Sequence, residues 1–276
     1  MKKVIFSTVC FALATVMNIS HAASATSFTH GAFVSTSQKA SGCNTGFCSG
    51  GGYVYNSDGG VNTTSAAYTT TDGDAKGSAS LSGTAGAPIL KAYAQAPSGA
   101  SSRGYAQGLQ MYQYTGDSTM TLEANASFHS VMSGEGAGLY GAAALIAVDE
   151  YTDTYSLEDG FNYAYMDDIL LEGFSGTFDL DSDSIFDVSG DQYLDMTLSL
   201  VLEPMDTFYL WGEMTAFALS GSSSDAMATG LFSFNTTDVI ALGNISAVPV
   251  PAAIWLFSSA LFGLFGLRRK FINQDK

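Results

Sequence analysis

Two segments of the chain alternate apolar and polar residues without a break, and this period of two is what most limits the folds open to it. Met120, Leu122, Ala124, Ala126 and Phe128 interleave with Thr119, Thr121, Glu123, Asn125 and Ser127. Leu194, Met196, Leu198, Leu200 and Leu202 interleave with Asp195, Thr197, Ser199 and Val201. Successive side chains of a strand point to opposite faces, so each segment is a strand with one face buried and one in water, as in antiparallel sheets. Residues 208–219 are apolar on both faces, with Trp211 beside Tyr209 and Phe217, and read as a central strand. Residues 226–235 and 138–148 are further strands, the second despite its helix-favouring Ala142–Ala144. Turn residues cluster at 133–136, 189–191 and 220–225. No stretch before the C-terminal tail keeps a 3.6-residue period over a useful length. The expected fold is all-β, an antiparallel β-sandwich with jelly-roll or Greek-key connections.

The first third is different in texture. Residues 40–100 are rich in Gly, Ser, Thr and Ala and poor in large aliphatics, with 53–55 as one short strand candidate, 72–77 as a turn and 96–99 as a loop. We expect this loop-rich part, 26–100, to form the edge of the same sandwich rather than a flexible leader.

Both ends belong to export rather than to the fold. Residues 1–25 have the form of a secretory signal: Lys2 and Lys3, an apolar run from Val4 to Met17, and small residues leading to cleavage after Ala22, with Ala25 as the second choice. At the other end, 248–267 carries no charge and Arg268, Arg269 and Lys270 close it. A helix of that length spans about 30 Å, one bilayer core, although Pro249 and Pro251 shorten its regular part to about 24 Å. With the N-terminus exported, the basic cluster stays cytoplasmic. The exported domain is then 26–247 and the tail 248–276.

The tail's three parts, Val248-Pro249-Val250-Pro251-Ala252, a short apolar helix and a basic cluster, occur in the order of a PEP-CTERM sorting signal. This stretch, 248–270, resembles the Val-Pro-Leu-Pro-Ala variant of that family in Gram-negative bacteria with exosortase and exopolysaccharide loci. Val250 stands where Pro-Glu-Pro has its glutamate, and six residues follow the basic cluster. The resemblance implies Sec export, signal peptidase processing, a transient inner-membrane intermediate, and exosortase cleavage near Pro249, Val250 and Pro251. It also implies delivery to the cell surface or to an extracellular, exopolysaccharide-containing biofilm matrix.

Charge narrows the activity. Of the chain's 10 basic and 26 acidic residues, the exported domain keeps only Lys39, Lys76, Lys91 and Arg103 against every acid but Asp275, a net of −21. Phosphate neutralisation needs lysine and arginine clusters, so nucleic acid is excluded as a partner. An anionic polysaccharide would be held only through a bridging cation or a neutral face. Asp179, Asp181 and Asp183 are the best candidate calcium ligands, as alternate carboxylates in a loop, although Ser184 and Gly190 stand where an EF-hand has Gly and Glu. Cys43 and Cys48, flanking an Asn-Thr-Gly turn, are expected to form a disulfide after export.

No nucleophile elbow, zinc-protease or phosphate-loop motif occurs, and His30 and His129 are the only histidines beyond the signal. The expectation is a surface or matrix protein without catalytic activity and without a cofactor other than calcium. The first alternative is a carbohydrate-binding module; Tyr151, Tyr155, Phe161, Tyr163 and Tyr165 could form a sugar-stacking platform, although core and edge packing is the commoner use of such residues. The second is a secreted glycoside-active enzyme built on a carboxylate pair.

Overall fold

Thirteen strands are assigned in a computed structural model, which describes residues 28–39, 53–70, 74–148, 152, 154–164, 166–172, 174 and 176–243. The expected signal peptide, Cys43, Cys48 and the expected sorting tail lie outside the described residues. In chain order the strands are β1 (His30–Lys39), β2 (Tyr53–Val61), β3 (Ser65–Thr69), β4 (Ala75–Ser80), β5 (Ile89–Gln95), β6 (Ser101–Tyr114), β7 (Met120–Ser133) and β8 (Gly138–Val148). Two helices follow, α1 (Thr154–Tyr163) and α2 (Met166–Glu172), and then β9 (Phe178–Phe186), β10 (Gly190–Leu202), β11 (Thr207–Leu219), β12 (Ser223–Phe234) and β13 (Val239–Ala241).

All pairings are antiparallel. One sheet runs β2-β1-β6-β11-β8-β9, with β13 on the end of β6; the other runs β10-β7-β12-β5-β4-β3. Within them β5-β12-β7-β10 lies opposite β6-β11-β8-β9. Short turns at 96–100, 134–137, 187–189 and 220–222 carry the chain from one sheet to the other. That is the strand order of a jelly roll, to which β1 and β2 add on one sheet and β3 and β4 on the other. Two of the turns are tied together: the Gly136 amide donates to Asp187 Oδ1 at 2.7 Å.

The alternating segments behave as their period requires. Leu122, Ala124, Ala126 and Phe128 of β7 and Leu194, Met196, Leu198, Leu200 and Leu202 of β10 are buried between the sheets, while their neighbours face water. β11 is central and buried on both sides. Its Phe208, Leu210, Met214 and Ala216 join the core between the sheets, and Tyr209 and Trp211 join a second core on the outer side. Leu157 and Phe161 of α1 and Met166 and Leu170 of α2 complete that second core. These helices correct the expectation of no helix before the tail. Each presents only one apolar pair four residues apart, too few repeats for a helical period to stand out.

The described part of the Gly- and Ser-rich first third supplies β1 to β5: β2 and β3 are edge strands of the two sheets, and β4 and β5 lie inside the second. Its small residues are there because the sheets nearly touch. A Cβ on Gly104 of β6 would sit 2.3 Å from the Lys76 carbonyl oxygen and 2.4 Å from that of Tyr93. A Cβ on Gly77 of β4 would sit 2.4 Å from the Tyr105 carbonyl oxygen. Farther along β6 the filling is aromatic: Tyr112 stacks on Phe208 at 5.3 Å and meets Phe234 edge-on at 5.1 Å. The Tyr112 hydroxyl is buried with no hydrogen-bond partner among the described residues, and burial pushes its pKa well above the usual phenol range.

Two substitutions test this core. Gly104→Ala forces backbone apart and is expected to cost about 1–3 kcal/mol in denaturant unfolding. Tyr112→Phe deletes a hydroxyl that satisfies nothing and is expected to leave stability unchanged or raise it by up to about 1 kcal/mol. A clear loss in the second variant would mean the hydroxyl has a partner.

Candidate functional site: the open face of the second sheet

The outer face of the first sheet is largely occupied by the helices. Gln107 fastens them there. Its Nε2 donates to the Phe161 carbonyl, and its Oε1 accepts from Trp211 Nε1 at 3.2 Å. Tyr209 donates to the Phe28 carbonyl at 2.7 Å, tying the start of the fold to the same layer. Phe161 is fully buried in this packing, so it cannot stack on a sugar, whereas Tyr163 on the same helix is 71% exposed. Tyr151 and Tyr165 lie outside the described residues, and α1 holds Tyr155. Phe161 therefore takes no part in a stacking platform.

The outer face of the second sheet is open along its strands. Tyr193 of β10 is 59% exposed and stacks on the His129 ring of β7, its direct cross-strand partner, at 4.4 Å and 17°. His129 Nε2 lies 3.1 Å from Asp191 Oδ1. The ring pair and the carboxylate thus hold one another in place at the β10 edge. Further along the same two strands, Thr197 Oγ1 donates to Asn125 Oδ1 at 3.0 Å across another direct pair.

A second row crosses the sheet one level away: Asp191, Val131, Asp225, Tyr93 and Lys76 are successive cross-strand partners. Lys76 Nζ sits 4.8 Å from the centre of the Tyr93 ring, and Tyr93 donates to Gln95 Oε1 at 2.6 Å. Burial, then the nearby Asp225 and Asp74 carboxylates, raise the Tyr93 pKa, so the phenol keeps its proton. Asp225 also takes the Met227 amide at 3.0 Å where β12 loses register with both neighbours, a bulge in the middle of this face. From Tyr193 to Tyr93 is three strand spacings across and two residues along, about 16 Å in all. The face therefore carries ring surfaces at two separated points with hydroxyl, amide and carboxylate groups around them. That is the chemistry that grips a pyranose, whose C–H faces are apolar and whose rim is hydroxyl.

The carboxylates expected to bind calcium are placed differently. Asp179, Asp181 and Asp183 lie on strand β9, not in a loop, and all three project to the side of the edge that faces β10. Asp179 Oδ2 accepts the Ser199 amide at 2.6 Å, and Asp183 Oδ1 accepts that of Ser184 at 2.7 Å. Alternate residues on a strand are about 6.7 Å apart. Oxygens that must all lie within about 2.6 Å of one calcium ion are not gathered by such spacing. Among the described residues no three Asp, Glu, His or Cys side chains converge. Ala22, Pro249, Val250, Pro251, Arg268, Arg269 and Lys270, expected to act in processing and sorting, lie outside the described residues, as do Cys43 and Cys48, expected to form a disulfide. No helix among the described residues is long and apolar enough to cross a membrane.

No family model and no curated protein matches the chain. Among solved structures it is similar to the carbohydrate-binding module TmCBM61 in complex with β-1,4-galactotriose, at 5% identity and a TM-score of 0.25, over 63% of this chain and 82% of that one. It is also similar to a structure from work on promiscuous specificity in carbohydrate-binding modules of the β-sandwich superfamily. There the identity is 10% and the TM-score 0.26, over 73% of this chain and 85% of that one. Values this low have no bearing on what this chain binds; the sandwich stands on its own strand order.

The geometry makes Tyr193 the residue whose loss should be felt without unfolding. Tyr193→Ala removes an exposed ring and is expected to leave the thermal midpoint within about 2 °C. A larger drop would make the ring structural.

Proposed function

We propose that the chain is an exported, non-catalytic protein of the cell surface or extracellular matrix whose jelly roll holds a neutral polysaccharide on the open face of the second sheet. One observation carries this reading: an exposed tyrosine ring held rigid on His129 and Asp191, in line with polar pairs on an otherwise solvated sheet face. A ring already ordered loses little entropy when a sugar stacks on it. The net charge of −21 for the exported domain, set by its four basic residues against every acid but Asp275, favours neutral over anionic chains on this face. Carboxylates here are spread along exposed strands rather than enclosed in pairs, which supports binding without hydrolysis.

Delivery rests on the tail. The apolar segment parks the exported protein in the inner membrane, and Arg268, Arg269 and Lys270 resist translocation. Pro249 and Pro251 mark the region an exosortase would cleave. Retention of the exported protein on the host's exopolysaccharide tests the binding half. Wild type is expected to be retained and Tyr193→Ala to lose most of that retention; equal retention of both would contradict the assignment of the face. For delivery, neutral residues at 268–270 are expected to impair membrane retention before cleavage, and unchanged fractionation and processing would count against the sorting mechanism.

A further inference from the structure

The opposite face of the sandwich carries a second feature. Beyond the helices, Arg103, Phe217, Gly138 and Phe186 are successive cross-strand partners on β6, β11, β8 and β9. The Arg103 guanidinium lies 5.3 Å from the centre of the Tyr105 ring and 5.4 Å from that of Phe217. Phe217 and Phe186 have ring centres 5.8 Å apart, and Phe186 is 50% exposed. Gly138 makes room for this shelf, since a Cβ there would sit 2.3 Å from the Phe186 ring.

Arg103 is exposed, and its polar contact is a 3.5 Å approach of Nη2 to Thr215 Oγ1. The salt bridge found among the described residues belongs to His129 and Asp191, so Arg103 has no carboxylate there, in a domain with four basic residues. Glu213, nearby on the same face, is buried and accepts from the Tyr105 hydroxyl at 3.0 Å. A guanidinium oriented by two aromatic rings, with one long hydrogen bond to Thr215 and no carboxylate beside it among the described residues, is built for a planar carboxylate. The adjoining phenylalanine rings give an apolar seat for the ring that bears it.

We propose that Arg103, Phe217 and Phe186 form a second binding site, for a carboxylated pyranose: a uronic-acid residue of a polysaccharide, its carboxylate on Arg103 and its C–H face on the phenylalanine shelf. This site goes beyond the neutral-glycan reading and stands without it, because it uses the other sheet. With both sites filled, the protein bridges two polysaccharide chains across its own thickness.

The experiment is titration of the exported protein with a uronic-acid trimer and with its neutral counterpart, at an ionic strength that screens the acidic surface. Wild type, Arg103→Gln, Phe186→Ala and Tyr193→Ala are compared, each checked for an unchanged thermal midpoint. Arg103→Gln is expected to weaken the uronic-acid trimer by at least about tenfold, as loss of a charged bidentate contact does, with Phe186→Ala also weaker. Tyr193→Ala is expected to leave that affinity unchanged. Equal binding of the acidic trimer by wild type and Arg103→Gln, or none by wild type, would overturn the site. So would loss in Tyr193→Ala, competition by acetate at the concentration of the trimer, or a dimer that Arg103→Gln dissolves. The neutral trimer reports separately on the second sheet, so failure of one reading is visible without the other.

Discussion

The fold depends on a sheet that must be covered on both sides. β11 carries Phe208, Leu210 and Met214 on one face and Tyr209 and Trp211 on the other, and water on either face would cost the burial of several large side chains. The second sheet covers one side. The helical connection between β8 and β9 covers the other, pinned through Gln107 to Phe161 and Trp211. Once the helices are committed there, the broad sheet face left to solvent is that of the second sheet, and the functional reading follows from this asymmetry.

Packing between the sheets sets where each face can be used. Near Gly77 and Gly104 the backbones are in contact, so the layers there are held without bulky filling. Near Tyr112, Phe208 and Phe234 the space is filled by rings. Tyr105 and Tyr93, next to the thin region, lie on opposite outer faces and each carries a cation on its ring. With little side-chain volume between the sheets, small residues fix the backbones directly, and the outward-facing rings inherit that rigidity.

Much of this was legible in the chain. The alternation at 119–128 and 194–202 located β7 and β10, and the doubly apolar 208–219 located the central β11. The first third was harder to read because Ala, Gly and Ser make weak strand signals, although Ala75, Gly77 and Ala79 and then Leu90, Ala92 and Ala94 do alternate inward. The helices were hidden by brevity. Of the site, the polar phase of β7 and β10 was visible, but not that it aligns Tyr193 with His129, because register between residues 64 apart in sequence (193 − 129) is a tertiary fact. Arg103 showed only as one of few cations; its aromatic neighbours are Tyr105 on its own strand and Phe217 from β11, with Phe186 of β9 against Phe217.

The polysaccharide-binding face is the central claim. The measurement that meets it most directly is hydroxyl-radical footprinting of the protein with and without a neutral polysaccharide. Protection at Tyr193, His129 and Tyr93, with Tyr163 on the helices unchanged, is the result this account predicts. Unchanged oxidation of Tyr193 and Tyr93, or protection confined to the helices, would contradict it.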